Sequence, residues 1–589
     1  MAVETFQDSR RLTGCNFYFS GTGVALEVAP GVAFDDTVLE AWREKVTAAR
    51  AALCWPQGEI VIRHHRSGAS LAFAAPADQL YVATEVNEWA WLAALHTFSA
   101  REQAPGPHSP AQAAACDTEP ALQRLKRVAE AEANPRLIAL IEKASQLSLP
   151  LMPDDDEVTI GEGSGSRTWF RDELPACEDV PWSSLHVIPT ALVTGSNGKT
   201  TTVRLLAAMT RAHGWPTAHS CTDGVFFQGE ALEAGDFSGP TGARTALRQS
   251  GAEAAILETA RGGMLRRGLA LCTTNVAVVT NIAADHFGEY GIHDLDDLAA
   301  VKLTVARAVG ADGLLVLNAD DASLAARAPS LRCPLGWFSL DFDHRALAAH
   351  REAGGATCGV RAGELLLHFA GGTHVLGRTA TMPLTLEDRA TYNVANIAGA
   401  ALAAAALGIA PATIAAALAR FGSAASDNPG RLQHWRFGST DVFVDYAHNP
   451  DGLQGLFDAV GTRSRSARLA LILGHAGNRE DEDLRAVAST AAAARPQLVL
   501  LKDISGYERG REEGEVAAIM HAQLLDDGID PSTIRICLDE VEAVREALAW
   551  SAEGDLLVLP IHELEARERV TALLDRLRDE DWRAGLPLS

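Results

Sequence analysis

From about residue 185 the chain falls into short apolar runs separated by longer segments with apolar positions at helical spacing. This alternation builds a doubly wound parallel sheet with helices on both faces. The runs are Ala191–Val193, Ala254–Leu257, Val276–Ile282 and Leu314–Leu317, then, after a break, Val442–Val444, Leu469–Leu473, Leu498–Leu501, Ile534–Cys537 and Leu556–Pro560. Two groups of strands divided near Ser423–Pro429 predict two α/β domains. The first ~95 residues read differently. Apolar and polar segments alternate at 15–20, 24–28, 58–63 and 70–73, and helical spacing runs over Asp35–Ala52 and Glu85–Ser99, which predicts a small α+β unit. Ala100–Ala115 is rich in Pro, Ala and Gln and reads as a linker. Helices are expected over Glu119–Glu132 and Pro135–Gln146, followed by an acidic and then Gly/Ser-rich stretch, Pro150–Arg167. The predicted organisation is 1–165, an N-terminal α+β domain and linker; 166–425, a central α/β domain; and 426–589, a C-terminal Rossmann-like α/β domain.

The apolar run at Ala191–Val193 leads into Gly195-Ser-Asn-Gly198-Lys199-Thr200-Thr201-Thr202, after which Val203, Leu206, Ala207 and Thr210 recur at helical spacing. Strand, glycine turn and helix start together form a phosphate cradle. The glycines let the backbone approach an anion, and the helix N-terminus offers free N–H groups and the positive end of its dipole. Lys199 adds a full charge at the β- and γ-phosphates, and the Thr200 hydroxyl is suited to Mg²⁺.

In doubly wound sheets, ligands sit beyond the carboxyl ends of the strands. Polar residues accumulate there: Glu258 and Arg261 after Ala254–Leu257, Asp285 and His286 after Val276–Ile282, Asp445 and His448 after Val442–Val444, and His475 to Arg479 after Leu469–Leu473. Each alone could cap a helix or close a turn, but their repetition along one edge points to a site. Glu258 supplies an oxygen suited to Mg²⁺, and His286 could complete a metal site. Lys302 falls at an apolar place on a helix expected over Leu295–Val309, about four turns after His286; a lysine there could also snorkel to the surface.

Composition bears mainly on partners. The 589 residues exceed one core, and 47% hydrophobic with 22% charged residues is ordinary for a globular protein. A net charge of −25 and a pI near 5.1 argue against a nucleic-acid partner, while a local basic pocket can still hold an anion. The nine cysteines form no C-x-x-C pair, which fits reduced thiols in the cytoplasm. Residues 1–11 lack the apolar core of a signal peptide. Ala390–Ala419 carries no charge but is mostly alanine, with Asn393, Asn396 and Pro411; two buried small-residue helices are expected rather than a membrane span.

The glycine turn departs from the common P-loop, which has a further glycine where Val193 stands. The shorter Gly-x-x-Gly-Lys-Thr-Thr form, with Cys221-Thr-Asp-Gly224, Asp236-Phe-Ser-Gly-Pro240, Leu257-Glu-Thr-Ala-Arg-Gly-Gly-Met-Leu265, Val279-Thr-Asn-Ile-Ala-Ala-Asp-His286, Leu317-Asn-Ala-Asp-Asp321, Tyr392-Asn-Val-Ala-Asn396, Asp445-Tyr-Ala-His-Asn-Pro450 and Asn478-Arg-Glu-Asp-Glu-Asp483, resembles the Mur ligase superfamily. The likeness is strongest to the Mur-ligase-like half of cyanophycin synthetase and covers about 190–560. It implies that Gly195, Asn197, Gly198, Lys199, Thr200 and Thr201 hold ATP. It further implies that Thr200 and Glu258 bind one Mg²⁺, and that His286 and Lys302, the latter as a carbamate, serve a second. Asn396 would contact adenine, Arg431 and Asp445 phosphate and ribose, and Arg261, His448, His475 and Arg479 the substrates. Lys199, Glu258, His286 and Lys302 would be the catalytic set. Ser196 stands where the family has threonine, and His475 and Asn478 depart from its Gly-Ala-Pro-Gly-Asp-Arg-like loop, so the amine pocket is expected to differ. Residues 1–165 are too short for the ATP-grasp domain of cyanophycin synthetase plus an N-terminal domain.

The expectation is an ADP-forming ligase that joins a carboxylate, of aspartyl type by resemblance, to an amine such as arginine through an acyl phosphate. Its partners would be small-molecule or peptide substrates, with no nucleic acid and no membrane, and with a homo-oligomer left open. Two other classes are weighed. A regulatory or scaffold protein with a dead ligase site is disfavoured by the presence of Lys199, Thr200, Glu258, His286 and Lys302; a motor or transporter ATPase lacks its usual acidic pair after an apolar strand.

Overall fold

The computed structural model describes residues 5–102, 117–285, 287–462 and 467–588. Most of the expected linker at Ala100–Ala115, Cys116 and His286 lie outside the described residues.

The N-terminal strands are β1 (Phe6–Leu12), β2 (Gly23–Val28), β3 (Ile60–His65) and β4 (Gly68–Ala74), ordered β1-β2-β4-β3 and antiparallel throughout. Helices Asp36–Ala52 and Leu80–Glu102 cover one face. Asp35 caps the first by accepting from the N–H groups of Thr37 and Val38. The unit is tied to the middle of the chain by polar contacts: Arg10 Nε donates to the Leu265 carbonyl at 2.7 Å, and Arg63 Nη2 pairs with Asp297 at 2.6 Å. Next, helix Pro135–Gln146 packs on the small sheet β5 (Leu151–Pro153), β6 (Glu157–Ile160) and β7 (Arg167–Phe170), burying Leu137, Leu140, Val158 and Ile160.

The large sheet holds β8 (Thr190–Thr194), β9 (Thr217–Cys221), β10 (Gly224–Phe227), β11 (Glu230–Ala234), β12 (Ala254–Glu258), β13 (Thr274–Val279), β14 (Val309–Asn318), β15 (Leu335–Ser339), β16 (Ala356–Arg361), β17 (Glu364–Phe369) and β18 (Gly372–Arg378). Its order is β11-β10-β9-β12-β8-β13-β14-β15-β16-β17-β18; the run from β9 to β16 is parallel, and the outer pairs at each end are antiparallel. Apolar cores lie on both faces, as the continuous buried runs of β8, β12 and β13 require. The alanine-rich segment is two helices, Thr391–Ala406 and Pro411–Leu418, buried against this sheet; a side chain on Gly399 would press on the Phe338 ring. Among the described residues, no helix is long and apolar enough to cross a membrane.

Two expectations need correcting. β13 ends at Val279 rather than Ile282, because Thr280 and Asn281 turn away to bond the glycine loop. The helix from Leu295 ends at Lys302 and tightens into a 3₁₀ segment, Leu303–Ala308, before β14.

The C-terminal sheet comprises β19 (Gln433–Phe437), β20 (Thr440–Asp445), β21 (Leu469–Leu473), β22 (Leu498–Leu501), β23 (Ile534–Ile536) and β24 (Leu556–Pro560), ordered β19-β20-β24-β21-β22-β23 and parallel except for β19. Its two faces carry separate cores.

His219 on β9 is buried and stacked on Phe226, and among the described residues neither ring nitrogen has a hydrogen-bond partner. Burial, then the charges of Arg204 and Arg211, push its pKa down from 6.5 to about 3. The unfolded chain therefore takes up a proton that the folded chain refuses, so stability falls as pH drops from about 6.5 toward about 3. His219→Leu is expected to lose less stability between neutral and mildly acidic buffer than the parent chain, read as urea midpoints. Equal losses in both would contradict this.

Candidate active site

The glycine loop is folded by residues at the ends of β8 and β13. Gly195 has φ +144, and a Cβ there would strike Thr280 Oγ1. Gly198 has φ +81, and its Cβ would strike Asn396 Oδ1, so the loop lies pressed between Thr280 and the helix Thr391–Ala406. Ser196, fully buried, donates from Oγ to the Ala283 carbonyl and accepts from the Ala283 N–H. The Asn197 carbonyl accepts from Thr280 Oγ1 at 2.6 Å and from Asn281 Nδ2 at 3.1 Å. Lys199 begins the helix Lys199–His213, and its Nζ donates to the Ser196 carbonyl at 2.9 Å.

Glu258, at the end of β12, is 1% exposed. One carboxylate oxygen accepts from Thr200 Oγ1 at 2.8 Å, the other from Thr222 Oγ1 at 2.9 Å, and the Thr222 N–H adds a contact at 3.3 Å. Lys302 is buried rather than snorkelling: it is 3% exposed and donates from Nζ to the Gly195 carbonyl at 2.8 Å. Burial, then the charge of Lys199, push the Lys302 ammonium well below its usual range, which favours the neutral amine. The oxygens of Thr200, Thr222 and Glu258 form a hard donor set suited to Mg²⁺. Among the described residues, no three His, Cys, Asp or Glu side chains gather as a metal site.

The C-terminal unit closes over this loop. Asn197 exchanges side-chain hydrogen bonds with Asn449 and donates to Asp451 at 2.9 Å. Arg431 stacks on the Tyr446 ring at 4.0 Å, and its Nη2 lies 3.4 Å from Thr200 Oγ1. Asp445 accepts from the N–H groups of Leu432 and Ala447 at 2.6 and 2.8 Å; burial nevertheless raises its carboxyl, with Arg431 opposing. A pocket of about 140 Å³ lies between the units, lined by the loop from Ser196 to Thr201 and by Asn396, Arg431 and Asp445. Thr201 also accepts from Asn428 Nδ2 at 3.2 Å.

A second cleft, of about 1100 Å³, begins at Lys199, Glu258 and Lys302 and runs to the N-terminal unit at Arg10, Arg11 and Tyr81. Its walls carry Arg261, His448, His475 and Arg479. Arg261 is ion-paired with Glu289. Arg479 Nη1 lies 3.1 Å from Asp285, and His448 Nε2 lies 3.9 Å from the other Asp285 oxygen. His475 Nε2 bonds the His448 carbonyl at 2.5 Å; burial, then Arg479, hold that imidazole well below its usual pKa, so the neutral ring donates. The described residues singled out in the sequence line these two cavities, which share Lys199 and His448, except Gly195, whose carbonyl holds Lys302. Sequence reasoning gave no role to Thr222, Asp223, Asn281, Tyr446, Asn449 or Arg567. Cys221-Thr-Asp-Gly224 carried a signal for the first two, as a polar turn directly after a buried run.

Comparison with known proteins agrees on the segments involved. The Mur ligase middle domain matches residues 193–404, and the Mur ligase glutamate ligase domain matches 430–560. Cyanophycin synthetase of Trichormus variabilis is 35% identical over 374 residues, which is 63% of this chain and 41% of that protein. That of Crocosphaera subtropica is 34% identical over 379 residues, 64% and 43% of the two chains. The chain thus spans well under half the length of these relatives. UDP-N-acetylmuramoyl-L-alanyl-D-glutamate–2,6-diaminopimelate ligase of Xanthomonas campestris is 28% identical over 379 residues, covering 62% of this chain and 70% of that one. Among solved structures, E. coli FolC in complex with DHPP and ADP superposes with a TM-score of 0.48 at 20% identity, over 66% of this chain and 89% of that one.

Proposed function

We propose that this chain, which belongs to the Mur ligase superfamily, is an ATP-dependent carboxylate–amine ligase that forms ADP through an acyl phosphate. The observation that supports this most is the junction of the two cavities: Lys199, Thr200, Glu258 and Lys302 face the end of the nucleotide pocket and the start of the arginine-walled cleft. In this reading a substrate carboxylate attacks the γ-phosphorus, ADP leaves, an amine attacks the acyl carbon, and phosphate departs. Lys199 and Arg431 balance the charge of the transferring phosphoryl group, and catalysis is mostly positioning and electrostatics. Thr200 and Glu258 would hold a divalent ion, with His286 and Lys302 serving a second; when bound, such ions neutralise phosphate charge. Contacts from Asn449 and Asp451 onto Asn197 keep the C-terminal unit over the loop and exclude water from the acyl phosphate. Arg266, Arg267 and Arg509 along the cleft suit an acid with further negative charge, in keeping with an aspartyl-type donor. An amino acid such as arginine is the proposed amine.

ATP, Mg²⁺ and pooled amino acids with β-aspartyl peptides, read by intact mass spectrometry, test this. ADP should form only when an acid and an amine are both present, with a product whose mass is their sum less water. ADP release independent of either would favour a plain ATPase, and nucleotide binding without turnover in any mixture would favour a regulatory protein.

We propose that the Lys302 amine, whose charged form burial disfavours, adds CO₂ to give a carbamate anion and release a proton. ADP formation is therefore expected to fall in CO₂-depleted buffer and recover with bicarbonate. Lys302→Arg, which stays charged, should be inactive and unresponsive to bicarbonate, whereas equal activity with and without bicarbonate in the parent chain would exclude the carbamate.

A further inference from the structure

Thr222 and Asp223 share one turn but face different groups. Thr222 holds Glu258 through its N–H and O–H. Asp223, 5% exposed, meets guanidinium groups from three separate parts of the chain. Arg204, on the helix that follows the glycine loop, places Nη2 3.1 Å from one carboxylate oxygen. Arg567, on the last helix, Leu564–Asp579, places Nη2 2.8 Å from the other. Arg431, between the two large sheets, lies 3.9 Å from that same oxygen. Arg431 and Arg567 both lie over the Tyr446 ring, at 4.0 and 5.3 Å. A Cβ on Gly430 would strike the Arg567 side chain, so the chain entering the C-terminal unit is packed directly on this cluster.

Asp223 is the carboxylate that meets all three guanidinium groups; Arg204 and Arg567 are buried with it, while Arg431 is half-buried and also feels Asp445 and Glu258. Arg204 and Arg567 make its close pairs. Arg431, at 3.9 Å, is the loosely held member. It is also the one that reaches Thr200. Without Asp223, three like charges would face one another in a site with little water to screen them, and repulsion would separate the units that carry them.

We propose that Asp223 is a positioning residue that docks the C-terminal unit on the nucleotide loop before any nucleotide binds, and so keeps Arg431 aimed at the phosphate end of the site. Asp223 touches no substrate in this scheme. The proposal rests on the nucleotide reading of the pocket for its kinetic consequence, but not for its structural one.

The test uses the full chain and the variants Asp223→Asn, Arg567→Gln and Arg567→Lys. Without nucleotide, Asp223→Asn and Arg567→Gln should scatter X-rays as more extended particles than the parent. Adding Mg-ADP should compact both, because the nucleotide bridges the two units; in Asp223→Asn its phosphates also supply the missing anion. The KM for ATP should rise about tenfold in both, with little change in kcat at saturating ATP, and the double variant should be no worse than either single one. Arg567→Lys, which keeps the charge, should recover most of the parent behaviour. A purely structural role would instead lower thermal stability and kcat together, with no recovery on adding nucleotide. If Asp223→Asn does not fold, Arg567→Gln carries the same comparison. Unchanged scattering with unchanged KM, or expansion that Mg-ADP does not reverse, would overturn the proposal. A parent chain that binds no ADP would instead defeat the nucleotide reading, and the scattering comparison would still decide the role of Asp223.

Discussion

Lys199→Met is expected to lower the rate of ADP formation about 10²–10³-fold, the usual cost of losing one charge that stabilises the transition state. Methionine keeps the length of the stem, and among the described residues the ammonium bonds the Ser196 carbonyl at 2.9 Å, a part-buried bond whose loss should cost folding about 1.5 kcal/mol. Measured side by side, kcat should collapse while the melting temperature falls only slightly. A variant that retains parent activity would mean that the helix N-terminus alone carries the phosphates.

Glu258→Gln is expected to lose a comparable factor in rate and to destabilise the fold more than Lys199→Met does. Glu258 is an acceptor on both oxygens, toward two hydroxyls and one backbone N–H. A glutamine must turn its NH₂ toward one of those donors. Thr222 Oγ1 can rotate to accept from that NH₂ while the glutamine oxygen keeps Thr200 Oγ1 and the Thr222 N–H, so the loss is that of charge-assisted hydrogen bonds becoming neutral ones, about 1 kcal/mol each. The dependence of rate on Mg²⁺ should shift to higher concentration, because the substitution removes the only carboxylate among the Thr200, Thr222 and Glu258 oxygens. A thermal melt and a Mg²⁺ titration of ADP formation check the two effects separately. A variant with parent Mg²⁺ dependence would remove Glu258 from the metal site.

What could be read from the sequence follows the physics of burial. β21, β22 and β24 carry unbroken apolar runs that each begin after a polar residue, and their limits were legible to the residue. The glycine loop was legible because its conformation demands glycine, as the contacts at Gly195 and Gly198 show. The antiparallel edges were not. β11 is exposed at every residue, and β18 is largely so, leaving no apolar pattern to find. β13 ran past its true end because Thr280 and Asn281 continue the strand pattern but serve the loop, while the Ile282 N–H turns to Asp321. Lys302 could be placed on a helix from sequence, but only tertiary structure shows that it is buried on the Gly195 carbonyl. The Asp223 cluster was out of reach for a related reason: its arginines come from the first helix of one sheet, a connection and the last helix of another. No local spacing links them.

The most direct measurement follows oxygen. β-Aspartyl peptides labelled with ¹⁸O in their carboxyl groups, offered with ATP, Mg²⁺ and pooled amino acids, should yield inorganic phosphate that carries one labelled oxygen for each amide formed. That oxygen passes from acid to phosphorus in the acyl phosphate and leaves with it. Phosphate that emerges unlabelled while ADP accumulates would mean that water, not a carboxylate, receives the phosphoryl group, and the ligase account would be wrong.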